Sequence, residues 1–458
     1  MQPVFADVPT SAGAVVPLRG IGRWGAVSAN ILNMIGIGPF ITIPLALSAM
    51  GGPQAMLGWL VGAGICACDG LVWAELGSRL PRSGGPYHYL LEAFGPAGAG
   101  KLFGFIYLWL TLLIGPLSIA SGAVGLSQYV SFLRPGLPGW SLAMLAAGVC
   151  LANTALLWRQ VRAIGQISIA VTAVVVLATA WIIASGAWHF QARLAFDFPA
   201  HAFVVTPAFL SGLGAATLIA VYDYGGYNNV CMIGEEVRQP RRTIPFAVLV
   251  SLGLVAILYL GLNLSIIGTI PWRVAQHSTA IVADFMTHIY GPHLGALAAW
   301  LILIASWGSI LAALLGYSRV PYAAAAAGQF FPVFARLHAK GHFPVWGLVY
   351  MGVASAAACM VNLADLIAIL IVVQTLFQSV ALCIAVIALR RQVKETSPDR
   401  FRMPLYPLPV ATALVGWVCI LATSKALHVV LALGMVALGT LVFLIGARRR
   451  SVWPFVPA

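Results

Sequence analysis

Apolar runs of roughly 18 to 25 residues, the length an α-helix needs to cross the hydrocarbon of a bilayer, recur along this chain about twelve times between short polar stretches. The pattern predicts spans at 24–48, 53–76, 97–129, 139–157, 165–185, 206–236, 244–268, 291–320, 344–362, 364–390, 408–423 and 427–447. Two of these carry helix-breaking clusters: Gly36-Ile37-Gly38-Pro39-Phe40 in the first, and Tyr224-Gly225-Gly226-Tyr227-Asn228 in the sixth. Backbone that leaves a helix at bilayer depth strands N–H and C=O groups away from water, which is tolerated beside a bound solute or a wet cavity. A pair of such breaks is the signature of a transporter's central site.

Composition narrows the class further. With 61% hydrophobic residues, 8% charged residues and a mean hydropathy of +0.94, a soluble domain with one buried core is excluded. The expectation is an all-α polytopic membrane protein. One transmembrane domain, 24–447, lies between tails 1–23 and 448–458. Residues 1–20 lack a continuous apolar stretch and carry Pro3, Asp7, Pro9, Pro17 and Arg19, so no cleavable signal peptide is expected.

A net charge of +13 would suit a polyanion such as nucleic acid, but the position of the basic residues argues otherwise. Arg79, Arg82, Arg159, Arg162, Arg238, Arg241, Arg242, Arg319, Arg336, Arg390 and Arg391 fall on alternate loops, on the same side as Arg19 and Arg448 to Arg450. Only Arg134, Arg193, Arg273 and Lys425 fall on the other side. The positive-inside rule makes the first side cytosolic, which places both termini in the cytosol of a multi-pass protein of the cell membrane, plasma or inner. The charge therefore encodes topology, and no nucleic-acid partner is expected.

Seven cysteines all fall within or at the edge of spans and read as small packing residues. Cys66 and Cys68 stand two apart on a helix, so they project from different faces and make no metal or redox pair. Neither a metal nor a cofactor is implied. Ala323 to Ala327, after the eighth span, reads as a small-residue face for close packing.

The breaks carry the candidate chemistry. Freed N–H groups at a half-helix N-terminus attract a carboxylate, and freed carbonyls at a half-helix C-terminus attract an ammonium. An α-amino acid carries both groups on one carbon. Ile37, Gly38 and Pro39-Phe40 are assigned to the carboxylate side, although Pro39 has no N–H and removes one donor. Asp223, beside the second break, is costly in hydrocarbon and needs a partner or a proton. Three roles are open to it: pairing with an amine of the substrate, carrying a coupling proton, or accepting bonds from hydroxyls such as Tyr222, Tyr224 or Thr217. Asp69, about two helical turns from Glu75, is a second coupling candidate or a snorkelling or helix-paired group.

Three local motifs point to a family. Residues 75–89 read Glu-Leu-Gly-Ser-Arg-Leu-Pro-Arg-Ser-Gly-Gly-Pro-Tyr-His-Tyr, a polar connection between spans two and three. Residues 235–245 read Glu-Glu-Val-Arg-Gln-Pro-Arg-Arg-Thr-Ile-Pro, and a third stretch runs from Arg319 to Trp346. Together they resemble the amino acid–polyamine–organocation permease superfamily, over about residues 19 to 447. Tyr224-Gly225-Gly226-Tyr227-Asn228 resembles the corresponding segment of the L-amino-acid transporter branch.

The resemblance implies the LeuT-like fold with twelve transmembrane helices: inverted repeats of five spans each over about 24–185 and 206–390, plus two peripheral helices over about 408–447. It also implies substrate contacts from Tyr224, Gly225, Tyr227 and Asn228, and from Trp307 in the eighth span, beside the open roles of Asp223. Tyr107, Trp109 and Gln374 are weaker candidates. A Lys that many members carry midway along the fifth span is missing from Ser168 to Val174, which leaves Thr172, with Ser306 and Ser309, as candidates for a coupling-ion site. The loop 130–140 lacks the Cys that links some relatives to a heavy subunit, so no disulfide-linked subunit is expected.

These features together predict secondary active transport of amino acids by alternating access, with membrane lipid and a small molecule as the only partners. A carrier of polyamines or cationic amino acids is the alternative within the class. An intramembrane aspartyl protease using Tyr222-Asp223 lacks its Gly-x-Gly-Asp partner motif, and a non-transporting sensor or channel is the remaining alternative.

Overall fold

A computed structural model describes residues 21–82, 84–96, 98–159, 164–326, 328, 330–338, 343–392, 400–450 and 453–455. Nineteen α-helices follow one another among them. The first nine are α1 (Arg23–Met34), α2 (Gly38–Met50), α3 (Met56–Arg79), α4 (Pro86–Ala93), α5 (Ala99–Leu133), α6 (Gly139–Arg159), α7 (Ile164–Trp188), α8 (Ala192–Ala195) and α9 (Pro207–Tyr224). Then come α10 (Asn229–Met232), α11 (Pro240–Ile267), α12 (Trp272–Ala275), α13 (Ile281–Tyr290) and α14 (Pro292–Ala326). The last five are α15 (Val345–Ala358), α16 (Leu363–Gln374), α17 (Val380–Gln392), α18 (Leu408–Thr423) and α19 (Ala426–Arg450).

Seven helices among the described residues are long and apolar enough to cross a membrane, and four shorter apolar helices accompany them. The chain is thus an all-α, multi-pass membrane protein. The least buried of the seven, α19, exposes Leu427, Val430, Leu433, Leu438, Leu441 and Ile445, an apolar surface that suits lipid and not water.

Local sequence explains the ends of α9 and α16. Thr206 caps α9 by accepting the N–H of Phe209 at 3.1 Å, with Pro207 in the first turn. Asn362 caps α16 in the same way through the N–H of Asp365 at 2.9 Å. Three expectations need correction. The second half of the sixth span, foreseen as running to 236, shrinks to the single turn α10 and a tighter turn, Gly234–Glu236. The polar connection 75–89 is largely helical, since α3 runs on to Arg79 and Pro86 starts α4. The alanine run does not follow the eighth span but belongs to it, because α14 continues to Ala326 past Pro321.

Small residues let α9 approach α3. A Cβ on Gly58 would stand 2.6 Å from the Cβ of Ala216, and one on Gly62 2.9 Å from that of Ala220, so the two helices cross almost backbone to backbone. On the face that carries the basic loops, the chain entering α1 is tied to the segment after α10. The N–H of Ile21 donates to the carbonyl of Glu236 at 3.1 Å, and that of Arg238 to the carbonyl of Ile21 at 2.8 Å.

The same face holds a buried ion pair. Arg390 grips Glu75 with Nε at 2.6 Å and Nη2 at 2.5 Å, while the N–H of Met403 reaches Glu75 Oε2 at 2.8 Å. On the opposite face Asp197 pairs with Arg273, and Asp365 with Lys425 and His428. The Arg273 and Lys425 pairs are solvent-exposed and each contributes only about 0–1 kcal/mol.

Candidate functional site

The two sequence-predicted breaks are real and lie against each other. Helix α1 stops at Met34 and α2 resumes at Gly38, with Ile35, Gly36 and Ile37 between them. Helix α9 stops at Tyr224 and α10 begins at Asn229, with Gly225 to Asn228 between them. Gly226 adopts a φ of +110°, open only to glycine without strain, and a Cβ there would lie 2.9 Å from the backbone carbon of Asn33. The second break thus rests on the last turn of α1.

One residue staples them. Asn30, fully buried on α1, donates to the carbonyl of Tyr227 at 2.6 Å and to Ser251 Oγ at 3.2 Å, and accepts the N–H of Val230 at 2.8 Å. It serves both an orphan carbonyl of the break and an orphan amide at the start of α10. Sequence reasoning missed Asn30; the available signal was a polar side chain inside an apolar span, one turn before the first break. We expect Asn30→Ala to lose about 1–3 kcal/mol for each buried backbone group left unpaired. Chemical denaturation of the detergent-solubilised protein measures this, and a loss below about 0.5 kcal/mol, typical of a surface change, would contradict the role.

The remaining half-helix ends differ in how they are satisfied. At the end of α1, the carbonyl of Met34 accepts the Tyr259 hydroxyl at 2.7 Å. At the end of α9, Val221 and Tyr222 share the N–H of Gly225, at 3.0 and 3.2 Å. At the start of α2, Pro39 sits where a missing N–H costs nothing, and the N–H of Phe40 turns back to Ile37 at 3.0 Å. Among the described residues the N–H groups of Ile37 and Gly38 meet no acceptor. They are the donors that an anion at this end would meet.

Asp223 faces that end of α2. It is 2% exposed, and a side chain on Gly38 would run into its carboxylate. Thr42, one turn further along α2, donates its hydroxyl to Asp223 Oδ2, while Oδ1 has no hydrogen-bond partner. This corrects the expected hydroxyl partners. Tyr222 bonds Ser121 at 2.8 Å, Tyr224 donates to the carbonyl of Trp59 at 3.3 Å, and Thr217 Oγ1 is unpaired. The ring of Tyr224 packs against Trp59 and Tyr259, with centroids 5.8 Å away in each case, which fixes the end of α9.

Asp69 does not snorkel. It is 1% exposed, accepts the hydroxyl of Tyr227 at 2.6 Å and Trp417 Nε1 at 3.2 Å, and also bonds Trp73, one turn further along its own helix. Tyr227 of the break is therefore held from behind by a carboxylate on α3, itself held by α18. Phe40 is fully buried, and its carbonyl accepts the Tyr129 hydroxyl at 2.7 Å.

The other candidates separate into near and far. Ser309 of α14 lies at the first break, where a Cβ on Gly36 would meet its Oγ at 3.1 Å. Ser306 bonds the carbonyl of Ile302 on its own helix at 2.6 Å. Trp307 is half-buried against the core, and Asn228 is half-buried at the start of α10. Trp109 points away, donating to the carbonyl of Met435 on α19 at 3.1 Å. Thr172 lies on α7 at a position whose side chain is outside the described residues. The cysteines are free; Cys419 is exposed and so is no packing residue.

Comparison with known proteins places the chain in a family. The amino acid permease family model matches residues 21–457. Cationic amino acid transporter 4 of Mus musculus is 26% identical over 402 residues, covering 83% of this chain and 60% of that protein. Large neutral amino acids transporter small subunit 2 of Rattus norvegicus is 29% identical over 366 residues, covering 75% and 65%. Asc-type amino acid transporter 1 of Homo sapiens is 28% identical over 369 residues, covering 78% and 68%. The chain thus spans less than two thirds of the length of the first two relatives. A match over nearly its whole length shows that the chain belongs to the amino acid permease family of the amino acid–polyamine–organocation superfamily, a family of transporters and not of enzymes.

Proposed function

We propose that the protein is a secondary active amino acid permease that works by alternating access, with its substrate held where α1 gives way to α2 and α9 to α10. The observation that carries this reading is the pair of abutting breaks, with the free N–H groups of Ile37 and Gly38 at the start of α2 and the carbonyl ends of α1 and α9 beside them. Those two polarities match the carboxylate and the ammonium of an α-amino acid.

The finer architecture goes with it: twelve spans arranged as two inverted repeats of five, about 24–185 and 206–390, and two peripheral helices, about 408–447. The breaks fall in the first span of each repeat, which supports that arrangement. The basic face is assigned to the cytosol, with both termini there, in the cell membrane. No disulfide-linked subunit is assigned.

Purified protein in proteoliposomes loaded with unlabelled substrate tests the reading. Counterflow of labelled leucine or alanine is expected to saturate, and absence of flux for leucine, alanine, arginine and putrescine alike refutes transport. A second reading, transport of cationic amino acids or polyamines, draws on the unpartnered Oδ1 of Asp223. Flux of arginine or putrescine without leucine or alanine would favour it.

A further inference from the structure

Arg319 is the only Asp, Glu, Lys or Arg in the whole of α14, and it stands near the end of that helix on the basic face. From Pro292 it lies about 40 Å along the helix at about 1.5 Å per residue, past the roughly 30 Å of hydrocarbon and so at headgroup depth. Its guanidinium is exposed and meets no acceptor, carboxylate or ring among the described residues. The surrounding chain offers no acid to pair with it. The stretches 93–196 and 285–364, which include all of α5, α6, α14 and α15, contain no Asp or Glu.

Beside Arg319 is a hollow with an apolar floor. Leu157 of α6, Leu315 of α14, Phe343 and Leu348 of α15 line it, and Arg319 is the exposed member of the lining. Ser318 also reaches it but turns its hydroxyl back to the carbonyl of Leu315 at 3.0 Å, which leaves the guanidinium as the free donor. Helices α14 and α15 cannot close the hollow by coming nearer, because a Cβ on Gly347 would already stand 2.4 Å from the carbonyl oxygen of Ser318. The exposed indoles of Trp158 and Trp346 stand beside the lining, that of Trp158 edge-on to Phe343 with centroids 5.3 Å apart. Exposed indoles at this depth belong to the headgroup level. A second exposed arginine adjoins the rim, since the carbonyl of Arg336 accepts the N–H of Val345 at 3.3 Å.

A ligand that satisfies both parts carries negative charge at the headgroup level and hydrocarbon below it. We infer that this hollow binds one anionic phospholipid from the leaflet on the basic face, with its phosphate on Arg319 and an acyl chain over Leu157, Leu315 and Leu348. A free anion would leave the apolar floor uncovered, and a zwitterionic lipid would bring a cation of its own toward two arginines. Such a lipid joins α6, α14 and α15 at one end of the bundle. The inference rests on membrane insertion and not on the transport reading above.

Native mass spectrometry of the full-length protein in detergent, with phosphatidylglycerol or phosphatidylcholine of the same acyl chains added, tests this. One phosphatidylglycerol per chain is expected to be retained in preference to phosphatidylcholine, and Arg319→Ala to weaken its retention by about fivefold, the effect of one basic side chain at a membrane surface. Arg391→Ala, which removes another exposed arginine on α17, is the matched control and is expected to leave retention unchanged. Leu315→Trp, which fills the hollow and keeps the cation, is expected to weaken retention as well and decides the matter if Arg319→Ala does not fold. Equal retention of the two lipids, or equal losses in Arg319→Ala and Arg391→Ala, overturns recognition at this site. Displacement of the lipid by an equal concentration of glycerol phosphate or inorganic phosphate shows a free-anion site and overturns the lipid assignment. Undiminished retention in Leu315→Trp overturns the placing of the acyl chain. None of these outcomes involves flux, so failure here leaves the transport reading standing.

Discussion

Replacing Glu75 by alanine is expected to destabilise the protein by about 3–5 kcal/mol, the loss that follows when one partner of a buried ion pair is removed. Glu75 is 7% exposed and Arg390 20% exposed at their side chains, so solvent screens this pair little. Three donors converge on the one carboxylate: Nε and Nη2 of Arg390 and the N–H of Met403. The guanidinium also stacks 3.9 Å from the centre of the Tyr406 ring, which keeps it in place and leaves it uncompensated when Glu75 is gone. Helix α3, the end of α17 and the segment before α18 are joined at this point. Unfolding curves in mixed detergent give the loss directly. The Glu75→Ala/Arg390→Ala double variant is expected to lose less than the two single variants together, since it leaves no buried charge unpaired. Single variants within about 0.5 kcal/mol of wild type would show that the pair behaves as a surface contact.

Gly226→Ala is expected to lower transport by at least about tenfold, the factor that roughly 1.4 kcal/mol represents. Two costs act together. The φ of +110° is strained for any L side chain, by about 1–3 kcal/mol. The added methyl would also stand 2.9 Å from the Asn33 carbon and 3.0 Å from its oxygen, and backbone of α1 cannot swing aside as a flexible side chain can. Relief requires the two breaks to separate, which undoes the juxtaposition that makes the site. Gly64→Ala is the matched control, because nothing lies within 4 Å of a Cβ there. Equal rates for the two variants in the same proteoliposome assay would remove Gly226 from the site.

Much of this was legible along the chain. Length and hydropathy of each apolar run located the helices, and glycine clusters inside two of them located the breaks, because both are properties of consecutive residues. The predicted span 408–423 matches α18 residue for residue, since Pro409 at its start and the polar Ser424-Lys425 after it are local stop signals. The sixth span was overextended for the same kind of reason: an apolar composition persists through Val230 to Ile233, but nothing in composition reveals that the chain there makes only one turn.

Partners of the polar side chains were not legible. Asp223 was foreseen to matter, yet its acceptor bond comes from Thr42, 181 positions away. Asp69 is held by Tyr227 and Trp417, 158 and 348 positions away, and Asn30 reaches Tyr227 across 197. The sequence by itself determined that the chain spans a membrane, where its helices break, and to which family it belongs. Only the tertiary structure decided which carboxylate faces the start of α2 and which is tied behind Tyr227. Hydropathy and helix breaking act between neighbours along the chain, whereas a buried polar group is satisfied by whichever helix packing brings into reach.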